Sequence, residues 1–347
     1  MKSLTAAAVL VSLVFCASVS AQQAPTKPKE LDILNQYVGH WTSDVNNKPA
    51  VWDQNGTKFR CLNQAEFILD GWFLQHIEVN HVVGDPDKVT KSLFLWSFDP
   101  KSAKYVAWVF QSTGNCGAWS GQWDSGNKTF TISANEPLPN ITDKMTEQFV
   151  DAATMKGNLK FIEGGGTVLM DMEWTRNRQA GVAGQPTREQ WNKIGKPIQP
   201  VPDELKKLQP FIGEWDAEFA NAPSVVSPQG RTTKGKSTGQ WVLDGRFLLG
   251  SSEVEKHRSI WLMGYDTNKK QFRFVRFTNA GQIDETVGQW NEEGQSFVMK
   301  AITERPGVTR TATYRVVEKD AIESHILSKD QDGKVQMDLT IKSSRRK

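Results

Sequence analysis

From residue 214 onward, short runs rich in Val, Ile, Thr, Phe and Trp follow one another, at 214–219, 235–243, 247–254, 260–265, 271–278, 284–290, 296–302, 308–316, 322–327 and 335–342. Apolar and polar positions alternate within them, and a period of two is the spacing of a strand with one face in a core. Turn chemistry separates the runs. Asp70-Gly71 and Asp244-Gly245 stand between paired runs, where a two-residue hairpin needs the positive φ that Gly tolerates and Asp accepts. Asp99-Pro100-Lys101 and Asp266-Thr267-Asn268 suit the start of a type I turn. Only 31–37 and 204–211 carry helical spacing. The pattern predicts an all-β fold, a meander of about ten antiparallel strands behind a short helix. So long a twisted meander curls, and closing into a barrel removes both exposed edges.

The same text occurs twice. Gly39-His40-Trp41 returns as Gly213-Glu214-Trp215, and Leu69-Asp70-Gly71 as Leu243-Asp244-Gly245, both at an offset of 174. Beyond one loop the offset is 167, where Phe98-Asp99 matches Tyr265-Asp266 and Gly121-Gln122-Trp123 matches Gly288-Gln289-Trp290. One seven-residue deletion therefore relates two copies of a single domain. Any function owned by the shared fold is expected at positions matched in both.

A length of 347 residues suits two domains, each able to bury a core of its own. The first domain is expected at 30–178 and the second at 203–347, with a Gly-, Pro-, Gln- and Lys-rich linker at 179–202 and a disordered lead-in at 22–29. Residues 1–21 read as a secretory leader: Lys2, the apolar run 6–15, and Val19-Ser20-Ala21 for cleavage. Phe15 before Cys16 argues against lipidation there. No other stretch offers the ~18 apolar residues of a membrane span, so the product is expected to be exported, periplasmic or extracellular. A net charge of +3 with scattered Lys and Arg gives no footprint for nucleic acid, and Arg345-Arg346-Lys347 reads as a solvated end. After cleavage two cysteines remain, Cys61 and Cys116, matched by Gly235 and Ile283 in the second copy. An even count in an oxidising compartment allows a disulfide in the first domain alone. The sequence leaves the oligomeric state open.

The helix followed by G-x-W on the first strand resembles the opening of calycin-type barrels, the group of lipocalins, fatty-acid-binding proteins and nitrobindins. The longer string, Leu-Asp-Gly-x-Phe, then Phe/Tyr-Asp, then Gly-Gln-Trp, resembles more narrowly an exported bacterial domain-of-unknown-function family, number 1579, here as a tandem duplication. The resemblance implies two calycin-like barrels. In each, the first-strand Trp, Trp41 or Trp215, seals one end against a basic side chain from the last strand, Arg176 or Arg178 and Arg345 or Arg346, by cation–π stacking. Gly39, Gly213, Asp70, Gly71, Asp244 and Gly245 are structural members of that motif.

Direct evidence of chemistry is thin. His40, His76, His81, His257 and His325 do not map onto one another, which disfavours a duplicated metal or haem site. Nitrobindin-like haem binding needs an imidazole inside a barrel. His325 is the one candidate, and alternation sets it opposite Ile322 and Ile326, the more apolar and so inward face. His76, Glu78 and His81 form the densest ionisable cluster and read as surface residues; no zinc-type spacing occurs. The motif G-x-S-x-G is absent, and no catalytic residue or cofactor is nominated.

The 13 Trp and 17 Phe exceed what sealing two barrel ends requires. With Phe272, Phe274 and Arg276 on one inward face, the second barrel holds an apolar chamber with a single cation, suited to an amphipathic carboxylate. Trp290 joins it, and Tyr105 and Trp123 are the matched candidates in the first copy. There Tyr105, Ala107 and Val109 make an emptier or more apolar chamber. Three classes stay open: a binding protein for a small apolar or amphipathic molecule, a non-catalytic envelope or interaction protein with filled barrels, and a haem-binding or enzymatic barrel.

Overall fold

The computed structural model describes residues 26–180, 200–302 and 307–347. The expected leader, most of the lead-in and the linker from 181 to 199 lie outside these residues. Ten strands make each copy. The first has β1 (Gly39–Lys48), β2 (Thr57–Ile68), β3 (Phe73–Val82), β4 (Asp85–Asp99), β5 (Lys104–Gln111), β6 (Cys116–Asp124), β7 (Thr129–Ala134), β8 (Ile141–Phe149), β9 (Thr154–Glu163) and β10 (Val168–Arg178). The second has β11 (Gly213–Asn221), β12 (Arg231–Val242), β13 (Phe247–Val254), β14 (His257–Asp266), β15 (Gln271–Thr278), β16 (Ile283–Asn291), β17 (Ser296–Ala301), β18 (Val308–Glu318), β19 (Ala321–Asp330) and β20 (Val335–Arg345). Each set is a closed antiparallel barrel, sealed by pairing of β1 with β10 and of β11 with β20. The helical segments in front, Lys29–Tyr37 and Asp203–Phe211, are 3-10 in form. None of the helices among the described residues is long and apolar enough to cross a membrane.

The seven-residue difference between the copies lengthens one ribbon. β3 and β4 have 10 and 15 residues, where β13 and β14 have 8 and 10.

Both G-x-W seals are built alike. The guanidinium of Arg178 lies 4.2 Å over Trp41, and that of Arg345 lies 4.2 Å over Trp215. Trp41 Nε1 and Trp215 Nε1 donate to the carbonyls of Tyr37 and Phe211, pinning each helical segment across its barrel end. Of the two basic candidates in each copy, these are the ones used; Arg176 and Arg346 point elsewhere. Glycine precedes because φ is +122° at Gly39 and +119° at Gly213, and a Cβ there would meet the stacked guanidinium at 3.0 and 2.4 Å.

The Asp-Gly turns are wider than a two-residue hairpin. Ile68 pairs with Phe73, so four residues make the connection, and Leu69, Asp70 and Gly71 all have positive φ, as do Leu243, Asp244 and Gly245. Three left-handed residues in a row carry the loop away from its own barrel, and each Asp reaches the other one. Asp244 forms an ion pair with Lys91 on β4, and Asp70 with Arg258 on β14. Lys91 and Arg258 are themselves matched positions.

The same pairing by twos runs through the contact between barrels. Phe110 meets Phe247 edge to face at 5.4 Å, and Phe277 meets Phe73 at 5.3 Å. Gly114 lies under the guanidinium of Arg246, and Gly281 under the indole of Trp72. Each is one contact made in both directions, the arrangement of a two-fold interface. The outward faces of β3–β5 and β13–β15 are thereby buried in a single apolar cluster that contains Leu95, Trp108, Phe110, Leu262, Val275 and Phe277. Part of the aromatic surplus belongs to this contact.

Candidate functional site

A chamber of about 720 Å³ occupies the first barrel. Its waist is apolar, with Phe94, Val109, Ile132, Met145, Leu159 and Met172 on the wall. Its mouth is completed by the second barrel, whose β14–β15 hairpin brings Lys269 and Arg273 to the rim. Both bond Glu136 of the first barrel, at 2.8 and 3.0 Å.

Polar groups gather at the floor. Alternation turns Ser43 on β1, Asn63 on β2, His76 and Glu78 on β3, Glu147 on β8 and Arg176 on β10 inward, and closure of the ring sets Ser43 beside Arg176. Arg176 is the hub. Its Nη2 donates to Glu78 Oε1 at 2.8 Å and lies 3.5 Å from Glu147 Oε1, and its Nε donates to Ser43 Oγ at 3.2 Å. Asn63 donates to the same Ser43 oxygen at 3.0 Å. Glu147 also accepts from the hydroxyl of Tyr37 at 2.8 Å and the indole of Trp174 at 3.2 Å, which ties the floor to the helical plug.

His76 Nε2 lies 3.3 Å from Asn63 Oδ1 and 3.3 Å from Glu78 Oε1, and its ring stacks on Phe94. Burial, reinforced by the Arg176 cation, holds its pKa well below the ordinary histidine value, so the ring is neutral. Nε2 also lies 3.5 Å from Arg176 Nη1, a group that can only donate. Burial also raises the Glu78 carboxyl; Arg176 pulls it down and Glu147 pushes it up.

The surface reading of His76 and Glu78 is therefore corrected. On β3 the more apolar face is Phe73, Gln75, Ile77 and Val79, and it points out of the barrel; Phe73 and Gln75 on it are buried, and Phe73 packs on Phe277 of the second copy. Apolar meant buried, but not inside. The signal that could have found the floor was parity: once Trp41 faces inward, so do Ser43 and the register partners of that face.

Cys61 and Cys116 are free thiols, not a disulfide. They stand on β2 and β6, four strands apart around the ring, a separation of roughly 19 Å along the sheet that no disulfide spans. Burial keeps both protonated, raising Cys61 strongly and Cys116 to about 12. Tyr105 and Trp123 stand below the chamber in its seal, Tyr105 bonding the Glu30 carbonyl and both rings packing on Phe130. Ala107 and Val109 line the wall.

The second barrel is furnished differently. The matches of Ser43, Asn63, His76, Glu78, Glu147 and Arg176 are Ala217, Ser237, Gly250, Ser252, Tyr314 and Ser343, so the floor cluster is absent. At Gly250 a Cβ would sit 2.0 Å from Trp261, whose ring fills the space that His76 takes in the first copy. Phe272 and Phe274 do face inward, against Phe297, Trp261 and Tyr314, and Trp290 packs on Phe297. Arg276 is not a lone cation. Its Nε donates to Asp284 at 3.0 Å, and Arg310 bonds the other oxygen of that carboxylate at 3.0 Å. His325 faces outward, exposed and bonded to Asp338.

No curated protein matches the sequence. Among solved structures, a protein of unknown function from the DUF3598 family of Nostoc punctiforme is 11% identical, with 92% of this chain and 100% of that one covered and a TM-score of 0.27. The S-type phycobiliprotein lyase of Guillardia theta is 12% identical, with 44% of this chain and 93% of that one covered and a TM-score of 0.32. A family profile matches twice, once on each barrel, at residues 26–178 and 202–345. The chain thus belongs, as a tandem duplication, to the family described as Protein of unknown function (DUF1579).

Proposed function

We propose that this tandem β-barrel protein is an exported binding protein for a small amphipathic molecule, held in the first barrel with its polar end on the Arg176–Glu78–His76 floor. One observation carries the reading: a chamber of about 720 Å³, within the size range of sites that enclose a drug-sized ligand, joins an apolar waist to a buried polar base in the first barrel. Burying a guanidinium, two carboxylates and an imidazole costs free energy that an apolar core would avoid, and the second copy has different side chains at all six floor positions. The second barrel then serves as scaffold, covering the outer face of β3–β5 and completing the mouth. Export is part of the proposal and rests on the leader-like N-terminus. Solvent extraction of the purified chain followed by mass spectrometry tests it: one small molecule recovered per chain is expected, and repeated recovery of none, with no uptake from a hydrophobic extract, counts against it.

A further inference from the structure

Resting on that reading of the chamber, we infer that the molecule it holds is an organic cation: an amine on an apolar body, its charged end directed at the free oxygen of Glu78.

Charge is the first argument. Below the rim the chamber wall carries the carboxylates of Glu78, Asp143 and Glu147 and the single guanidinium of Arg176. His76 is neutral and adds nothing. Glu136 lies at the mouth, where Lys269 and Arg273 already answer it. The enclosed part thus has more acid than base, in a place where unbalanced charge is costly.

Hydrogen-bonding capacity is the second, independent argument. Glu147 has both oxygens engaged. Glu78 uses Oε1 for Arg176 and His76, and Asp143 uses Oδ2 for the Ala134 N–H; among the described residues nothing bonds Glu78 Oε2 or Asp143 Oδ1. Both carboxylates line the chamber and keep acceptor capacity that a donor on the ligand can use. An ammonium supplies donors to the carboxylate oxygens, and the rings of Phe94, Trp96, Trp119 and Phe161 give it faces to lie on. A carboxylate head would meet an Arg176 already claimed by two acids and would face the third.

The contrast between barrels shows that the sign belongs to this chamber and not to the fold. Asp143 is matched by Arg310, Val109 by Arg276 and Glu78 by Ser252.

The test is titration of the full chain with decylamine, decanoate and decan-1-ol, below their micelle concentrations, followed by tryptophan fluorescence. The amine is expected to bind at least about tenfold tighter than the carboxylate. Glu78→Gln is expected to weaken the amine by about tenfold and leave the alcohol unchanged, and Ala107→Trp to abolish both. Should Glu78→Gln fail to fold, Asp143→Asn carries the same comparison. Decanoate binding as tightly as decylamine, or acid-to-amide variants that leave their ratio unchanged, overturns the inference while the chamber stands. Failure of all three probes removes the chamber reading as well.

Discussion

Lys91 of the first barrel and Asp244 of the second form an ion pair with side chains only 3% and 5% exposed, whereas the symmetric pair, Arg258 with Asp70, is about half exposed. Geometry repeats across the two-fold relation and burial does not. The same substitution should therefore have unequal costs. Asp244→Asn leaves an ammonium buried against a neutral amide and is expected to destabilise by about 3–5 kcal/mol. Asp70→Asn, at a solvated pair, is expected to cost about 0–1 kcal/mol. Urea unfolding of both variants measures the difference, and equal costs would mean that the inter-barrel contact is as wet at one end as at the other.

The end seals predict a conformational effect that owes nothing to charge. Gly39→Ala and Gly213→Ala each force a side chain into left-handed backbone and against a stacked guanidinium. A loss of about 1–3 kcal/mol is expected from each. Gly213→Ala should be the worse, because its Cβ approach is 2.4 Å against 3.0 Å. Thermal melts of the two variants give the order.

Acid should act on the floor through His76. Its pKa is depressed in the fold, chiefly by burial and then by Arg176, so the unfolded chain takes up a proton near the ordinary value of 6.5 while the native one does not. The stability this group contributes is present above that value and is lost as pH falls below it. Glu78 works in the opposite sense: burial raises its pKa, so the stability it contributes is fully present below the ordinary value of 4.5 and is lost as pH rises from there through its folded value. His76→Asn should flatten the fall in stability below pH 6.5, and Glu78→Gln should steepen it. Denaturant midpoints at a series of pH values read both slopes.

Much of the fold was legible in the sequence because its rules are local. A period of two, turns at fixed places and a duplicated G-x-W leave few alternatives to two barrels, and the repeat offset showed which ribbon differs. The site was not legible for two physical reasons. Alternation shows which residues share a face but not which face is inside, and on β3 and β5 the second barrel buries the outer face, so Phe73, Trp108 and Phe110 mimic a core. Expecting function at matched positions also drew attention to Trp123, Trp290 and the Asp-Gly turns. The floor is unmatched by nature, its six polar residues answered by small or neutral ones in the second copy. Arg276 illustrates a third limit, since Asp284, on the neighbouring strand, neutralises it.

The claim on which the function rests is that the first barrel alone is hollow enough to take a ligand. Titration of the full chain with the environment-sensitive dye N-phenyl-1-naphthylamine measures this directly, comparing the parent with Ala107→Trp, which places an indole inside the chamber. One dye per chain, lost in that variant, is the expected result. Two dyes per chain, none, or binding indifferent to the added ring would contradict it.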